Sequence, residues 1–234
     1  MRAAVIPVTP LQQNCSLVWC EETMKAAFVD PGGDIDRLKA AVDEAEVTLE
    51  KILVTHGHLD HAGAVADLAE EYGIPIEGPH PEDKFWIDQL PTQGKEYGFG
   101  DLRAFTPDRW LDQGDTCTVG KQTFDVLHCP GHTPGHVSVR LRSNGEEAVL
   151  TGDAFHSPLQ CRFPEWRFFS DDDPAQAATT RRALFESLAE SGFSLQIQRW
   201  NPFLSTPPIS EKPWSSVKWL VSFARCNPEH LTPP

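Results

Sequence analysis

The 234-residue chain has no uninterrupted apolar stretch close to the ~20 residues that a membrane-spanning helix needs, so we expect no transmembrane segment. Its N-terminus, MRAAVIPVTPLQQNC, has one basic residue and a short apolar run that is broken by Pro7 and Pro10. It therefore lacks the apolar region of a secretory signal. These two absences predict a cytoplasmic protein with no membrane partner.

Basic residues are scarce as well. Lys and Arg number 20 against 34 Asp and Glu, which gives a formal net charge of −14. A surface of this sign repels phosphate backbones, and no basic patch interrupts it, so we predict no nucleic-acid partner. The length fits one large domain or one domain with a small appendage, and we expect a monomer or homodimer.

No cysteine belongs to a CxxC pair. The six cysteines are scattered singly, at Cys15, Cys20, Cys117, Cys129, Cys161 and Cys226. Unpaired cysteine in a reducing compartment stays a thiol and behaves as a small apolar core residue. We therefore predict free, mostly buried thiols.

Strand-like runs alternate with helical patterns, which is typical of α/β layering. The predicted strands cover residues 3–8, 16–20, 26–29, 51–54, 74–77, 115–119, 123–127, 136–141 and 147–150, and the predicted helices cover 35–45, 62–72 and 171–191. Residues 79–110 are rich in proline, glycine and aromatic residues, and we predict an ordered surface excursion near the mouth of a site. We assign residues 1–192 to one domain. Residues 193–234 differ in style and are either a strand followed by an irregular tail or an artefactual end.

The strongest chemical signal is THGHLDH at residues 55–61, which places three imidazoles and one carboxylate within six residues after a predicted strand. Positions two apart in an extended loop point the same way, so His56 and His58 can hold one ion. Asp60 and His61 lie past the bend and can face a second ion. Imidazole suits zinc and iron, and a carboxylate adds charge neutralisation.

Two more donors follow predicted strands further along the chain. His132 lies 71 residues after His61, inside GHTPGH, and Asp153 lies 21 residues beyond His132, inside TGD. Loops that leave strand ends on one edge of a sheet sandwich converge on one pocket. We therefore expect both side chains to join the histidine cluster.

The motifs HxHxDH, GHTPGH and TGD, in this order, resemble those of the metallo-β-lactamase fold hydrolases over about residues 1–192. The stretches IPVTPLQQNCSLVW, DPGG, THGHLDHAGA, TPDRWLDQGDT and VLHCPGHTPGHV resemble the short glyoxalase II-type (hydroxyacylglutathione hydrolase-type) enzymes. The resemblance implies an αββα sandwich of two mixed β-sheets flanked by helices. It also implies one or two divalent metal ions, zinc first and iron or manganese as alternatives.

The same resemblance implies roles for individual residues. It assigns His56, His58 and His132 to the first metal, Asp60 and His61 to the second, and Asp153 to both. His136 is implied to be a nearby non-ligand that shapes the site, and a capping or packing role is the alternative.

The implied reaction is hydrolysis of a small acyl thioester or ester, such as S-lactoylglutathione. Two metals ~3.5–4 Å apart hold a hydroxide at neutral pH and polarise the substrate carbonyl. Asp60 is the expected catalytic residue, because it is placed to orient the nucleophile and accept its proton. A thiolate leaving group needs little acid assistance.

One departure from that pattern follows Asp153, where the chain runs AFHSPLQCRFPEW and then DDDPAQAATTRR. This segment resembles the lactonase and organophosphate-hydrolase branches, so a lactone or phosphotriester substrate is an alternative. His156 lies in this segment and could approach the metals, but we interpret it as an ordinary loop histidine. Tyr72 and Tyr97 are the only tyrosines, and neither lies where the lactonase branch often uses one.

The other departure concerns the second metal. Alignment to the family's terminal strand puts Asn201 where the resemblance expects a last histidine, and asparagine is a weak ligand compared with imidazole. We therefore expect a second metal that is loosened or lost. A catalytically weakened metal-binding or sensing module is the resulting alternative. The helical domain that clamps glutathione in longer glyoxalase II enzymes is also missing, so glutathione specificity does not follow.

Overall fold

The computed structural model describes residues 1–143, 146–157, 159–188 and 194–196. Its strands form two five-stranded sheets, with the orders β1-β2-β3-β4-β5 and β10-β9-β8-β7-β6. The first sheet contains β1 (Arg2–Val8), β2 (Gln13–Trp19), β3 (Lys25–Val29), β4 (Thr48–Leu53) and β5 (Ile76–Glu77). The second contains β6 (Thr116–Val119), β7 (Gln122–His128), β8 (Val137–Ser143), β9 (Glu146–Leu150) and β10 (Ser194–Gln196).

Both sheets are mixed. In the first, β1, β2 and β3 pair antiparallel, whereas β3, β4 and β5 pair parallel. In the second, β6 to β9 pair antiparallel and β10 runs parallel to β9. The helices are α1 (Ile35–Ala45), α2 (Leu59–Ala62), α3 (Val65–Tyr72), α4 (Lys84–Glu96), α5 (Leu159–Arg162) and α6 (Pro174–Leu188).

Alternation along the strands divides the core into layers. On β3 and β4, Ala27, Val29 and Leu53 point into the core between the sheets, together with residues from β6 to β9. Their neighbours Phe28 and Ile52 point to the opposite face and pack with the buried residues of α1, α3 and α4. The outer face of the second sheet packs in the same way against α5 and α6. This period-two pattern confirms the predicted αββα sandwich.

Two helices were not predicted, α4 and the four-residue α5. Residues 84–96, inside the predicted surface excursion, form α4, although Pro91 lies within it. Its buried residues Ile87, Leu90 and Gly94 recur at helical spacing. Gly94 lies where a Cβ would be only 2.5 Å from the carbonyl oxygen of Gly100, so close packing requires glycine here. Proline and glycine, which usually indicate a break, concealed the helical period in the sequence.

Other differences concern element boundaries. The predicted helix 62–72 is two helices, α2 and α3, which are separated at residues 63–64. The predicted helix 171–191 begins only at Pro174, and the predicted strand 74–77 is reduced to the two residues of β5. The remaining predicted strands are present, with ends displaced by up to three residues.

The C-terminal segment is described only in part. Ser194, Leu195 and Gln196 pair with residues 148–150 of β9 and so extend the second sheet. Asn201 and most of residues 193–234 lie outside the described residues, and their predicted roles stay predictions.

The cysteines within the described ranges are free and buried, as predicted, and Cys226 lies outside those ranges. Among the described residues, no helix has both the length and the apolar character needed to cross a membrane.

Candidate metal centre

The predicted ligands follow three strand ends. His56 and His58 lie in the loop after β4, and α2 begins directly behind that loop. His132 lies between β7 and β8, and Asp153 lies in a single 3₁₀ turn after β9. The two sheets face each other, so these three loops meet at one end of the sandwich.

Three imidazoles converge on one point. Nδ1 of His58 is 3.1 Å from Nε2 of His56 and 3.0 Å from Nε2 of His132. Nitrogen ligands about 2.0–2.1 Å from a tetrahedral zinc ion are separated by about 3.3 Å. The three nitrogens therefore fit one divalent ion, and these histidines form a group that could hold a metal.

Asp153 connects this cluster to a second group of donors. Its Oδ2 is 3.4 Å from Nε2 of His132, whereas its Oδ1 is 3.3 Å from Nε2 of His61. Oδ2 of Asp60 approaches the same His61 nitrogen to 3.6 Å. Nε2 of His61 is buried and has no hydrogen-bond partner among the described residues. These donors therefore suit a second cation, and Asp153 is placed to bridge the two sites.

The electrostatics of the second group favour positive charge. Burial alone would lower the pKa of His61, but the carboxylates of Asp153 and Asp60 outweigh burial and raise it to about 10. In contrast, burial and the neighbouring imidazoles hold the pKa of His56 well below its usual range. His56 is therefore neutral and keeps a lone pair for a metal. The carboxylates of Asp60 and Asp153 around His61 attract a cation.

His136 lies behind the cluster. Its ring stacks on His56 with centroids 5.0 Å apart, and its Nε2 accepts a hydrogen bond of 3.0 Å from the backbone N–H of Asp153. Burial lowers the pKa of His136 well below its usual range, so it accepts as a neutral ring. His136 thus orients Asp153, which is a predicted ligand. These contacts agree with the role implied for His136, that of a non-ligand that shapes the site.

Two glycines allow the loops to approach this closely. A Cβ on Gly57 would lie 2.6 Å from the Cβ of Trp86. Gly152 has a φ of 54°, and a Cβ there would lie 2.5 Å from Nε2 of His136. A larger residue would clash at either position, which explains why the THGH and TGD motifs contain glycine.

Asp30 of the DPGG stretch holds the histidine loop in place. Its Oδ1 accepts the backbone N–H of Thr55 at 2.7 Å, and its Oδ2 accepts the Thr55 hydroxyl at 2.6 Å. The same Oδ2 lies 3.0 Å from Nδ1 of His61. This contact directs Nε2 of His61 toward the carboxylates, as expected of a carboxylate that orients a ligating imidazole.

Asp171 orients His132 in the same way. Its Oδ1 is 3.1 Å from Nδ1 of His132, and its Oδ2 is 3.5 Å from the fully buried guanidinium of Arg181. The predicted helix 171–191 begins at this run of aspartates, where a helix cap is typical. Only Asp173 has that role, since its carboxylate accepts the N–H groups of Ala175 and Gln176.

His156 is not the plain loop histidine that we predicted. It is buried, and its Nε2 lies 3.1 Å from Oδ2 of Asp153. Phe168 stacks on its ring with centroids 3.6 Å apart and planes inclined by 13°. With His132 and Asp153 it forms another group that could hold a metal. The segment after Asp153 therefore supplies His156, which contacts Asp153 in addition to His61 and His132.

Comparison with known proteins agrees with this arrangement. The family model of the metallo-beta-lactamase superfamily matches residues 8–191. Hydroxyacylglutathione hydrolase GloC of Haemophilus influenzae is 42% identical over 154 residues, covering 65% of this chain and 71% of that protein.

Two solved structures are also similar. A protein named TTHA1623, solved in a di-iron-bound form, is 27% identical with a TM-score of 0.67 and covers 82% of this chain and 89% of its own. The hydrolase AbOPH of the beta-lactamase superfamily is 25% identical with a TM-score of 0.59. The match covers 80% of this chain and 71% of AbOPH. The sequence match, the two facing sheets and the converging histidines lead to one conclusion: this chain belongs to the metallo-beta-lactamase superfamily of metal-binding hydrolases.

Proposed function

We propose that the chain is a metal-dependent hydrolase of small acyl thioesters or esters, with zinc as the first candidate metal. The observation that carries the proposal is the convergence of His56, His58 and His132 within 3.0–3.1 Å of one another through Nδ1 of His58. Three imidazole nitrogens at this spacing match the ligand separations around one divalent ion. Three ligands at one ion also leave a coordination position for water or substrate, which is typical of catalytic sites.

A bound divalent ion polarises a carbonyl oxygen and lowers the pKa of water, which is the chemistry that acyl hydrolysis requires. The protein residues supply orientation and proton transfer. Asp60 is buried beside His61. In this proposal its carboxylate accepts a proton from the attacking water. Asp30, Asp171 and His136 hold the imidazoles and Asp153 in position.

A thioester is the preferred substrate because GloC, a hydroxyacylglutathione hydrolase, is similar over most of this domain. The segment after Asp153 favours a second candidate, a lactone or phosphotriester. That segment contributes His156, Phe168 and Asp171 to the centre, and AbOPH is described as a hydrolase. A cytoplasmic, monomeric or homodimeric protein without nucleic-acid or membrane partners is part of the proposal.

The test is a hydrolysis panel with the purified chain at measured metal content. The panel contains S-lactoylglutathione, a neutral acyl thioester, an acyl lactone, a phosphotriester and nitrocefin. Turnover of a thioester that disappears with a chelator and returns with zinc supports the proposal. Preference for the lactone or phosphotriester selects the second candidate. One bound metal with no turnover of any substrate favours a metal-binding module instead.

A further inference from the structure

Aromatic side chains border the candidate metal centre on two sides. On one side, Trp86 contacts His58 edge to face with ring centroids 4.5 Å apart, and Phe85 lies 4.6 Å from Trp86. On the other side, Phe168 stacks on His156, and Phe169 lies 4.6 Å from Phe168. We call these four residues, Phe85, Trp86, Phe168 and Phe169, the aromatic rim.

The outer members of the aromatic rim are exposed. Phe169 is 86% exposed and Phe85 is 45% exposed. Trp166, which stacks on Phe163 next to the rim, is 50% exposed. Exposed aromatic residues that continue directly from a catalytic cluster indicate a binding surface, because grouped apolar surface is otherwise unfavourable in water.

Hydrogen bonds fix the aromatic rim relative to the predicted metal ligands. Oδ2 of Asp172 accepts the indole N–H of Trp86 at 3.1 Å. Oδ2 of Asp171 accepts the backbone N–H of Phe168 at 2.9 Å, while its Oδ1 contacts His132. The adjacent carboxylates of Asp171 and Asp172 therefore hold Trp86 on one side of the rim, Phe168 on the other side, and the predicted ligand His132. A substrate bound on the rim would lie against the metal centre.

Acidic residues line the cavity beside the His132 loop. This cavity of about 350 Å³ is bordered by three acidic residues and one histidine, and the full lining is Glu82, His128, Pro130, Gly131, Pro134, Asp172, Asp173 and Gln176. Carboxylates at this place repel anionic groups, including the carboxylates of a glutathione conjugate. The rim thus offers apolar contact, whereas the neighbouring cavity disfavours negative charge.

We propose that the aromatic rim binds the apolar acyl group of a neutral thioester, and that the chain prefers such substrates to polar hydroxyacyl conjugates of glutathione. This inference rests on the proposed hydrolase function and specifies its substrate. A buried methylene contributes about 0.8 kcal/mol, or about fourfold in affinity, and a partly exposed rim gives less. We therefore expect kcat/KM to rise about two- to fourfold per methylene over the chain lengths that reach the rim.

The experiment measures kcat/KM for N-acetylcysteamine thioesters carrying acetyl, butyryl, hexanoyl, octanoyl and decanoyl groups, with S-lactoylglutathione as the polar comparison. The variant Phe169→Ala should flatten the rise of kcat/KM with chain length, and it should retain the fold because the Phe169 side chain is 86% exposed. Tyr97→Ala, which removes another exposed aromatic ring at the far end of α4, is the matched control and should keep the full rise. The affinity for the non-hydrolysable decyl thioether of N-acetylcysteamine, measured by calorimetry, should fall in Phe169→Ala and stay unchanged in Tyr97→Ala.

The outcomes separate this inference from the function on which it rests. Hydrolysis of no thioester at any length overturns the proposed function. Hydrolysis with no dependence on chain length, or with S-lactoylglutathione preferred over every apolar thioester, overturns only the aromatic rim as an acyl site. A rise that persists in Phe169→Ala also overturns it.

Discussion

The carboxylate of Asp83 accepts a hydrogen bond from the backbone N–H of Gly57 at 2.8 Å, although the two residues are 26 positions apart. The same carboxylate accepts the Thr133 hydroxyl at 2.8 Å and the N–H of Gly135 at 2.6 Å. Asp83 therefore joins the loop that carries His58 to the loop that carries His132. Together with the backbone hydrogen bond of 2.8 Å from the N–H of Val137 to the carbonyl oxygen of Thr55, this buried carboxylate fixes the separation of the two loops.

Replacing this carboxylate should loosen the first metal site. In Asp83→Ala, three buried donors lose their acceptor, which should lower the free energy of unfolding by about 3 kcal/mol. Zinc affinity should fall about 10- to 100-fold, as for other residues that orient ligands. Chemical denaturation and a competitive zinc titration measure the two effects. The control is Asp88→Ala, since Asp88 pairs only with exposed Lys84 in the described structure. Equal zinc affinity in both variants would contradict the assigned role.

Asp83 should also make stability depend on pH. Burial raises its pKa to about 6, because its three hydrogen bonds only partly offset the loss of hydration. The unfolded chain has a value of about 3.9, so the folded state binds more protons between these two values. The proton-dependent part of its contribution to stability is therefore complete below about pH 4 and is lost as pH rises through 6, whereas its hydrogen bonds contribute separately. A carboxyl carbon resonance that titrates near pH 6, and is absent in Asp83→Asn, would verify this. Titration near pH 4 would refute it.

The three converging histidines should bind metal together. Either His58→Ala or His132→Ala should abolish hydrolysis and remove the first metal, because two imidazoles remain where three are needed. Metal content after dialysis and the absorption spectrum of the cobalt-substituted protein are the measurements. His80 belongs to a separate group with Glu82 and His128, so His80→Ala should retain both hydrolysis and the metal bound by the three converging histidines. Activity near the parent level in a cluster variant would contradict the ligand assignment.

Asp60 should act mainly in proton transfer. Asp60→Asn conserves shape and should retain the fold, yet reduce kcat by about 10²–10⁴, the usual range for a lost proton-handling group. Metal content measured on the same sample separates two roles. If the variant loses metal completely, Asp60 is chiefly a ligand and the proton role is wrong.

The Asp171 contact gives a matched pair of variants within one run of aspartates. Asp171→Asn should weaken zinc binding about 10- to 100-fold, because it removes the charge that orients His132. It should also destabilise the fold, since the Arg181 guanidinium loses its buried carboxylate partner. Asp173→Asn, two residues away, keeps a good helix N-cap and should change neither quantity. Calorimetric zinc titration of both proteins provides the comparison.

Much of the candidate centre could be predicted because the predicted ligands lie in short motifs at strand ends. His56, His58, Asp60 and His61 lie within six consecutive positions, so local geometry limits where they can point. The strands were predictable for a similar reason, since period-two alternation is visible in the sequence. The sandwich of two mixed sheets was implied by the family resemblance rather than by periodicity, and the order of the strands in each sheet was not predicted.

The residues that hold the ligands could not be predicted in this way. Asp83 and Asp171 contact partners 26 to 52 positions away, and no local pattern records such a contact. Asp171 was assigned to a helix start because acidic residues before proline are typical of one. α4 was missed because Pro91 normally ends a helix, whereas tertiary packing of Ile87 and Leu90 stabilises it here.

The three aspartates at 171–173 have separate partners in consecutive order: His132, Trp86 and the first turn of α6. Such a run tolerates no change in length. Inserting or deleting one residue would turn all three carboxylates away from their partners at once, so a metal ligand, a rim residue and a helix start would fail together. The exposed turn at residues 97–101 has no comparable set of contacts to the centre. Among related chains, we expect loop length to vary at 97–101 and to stay constant at 171–173.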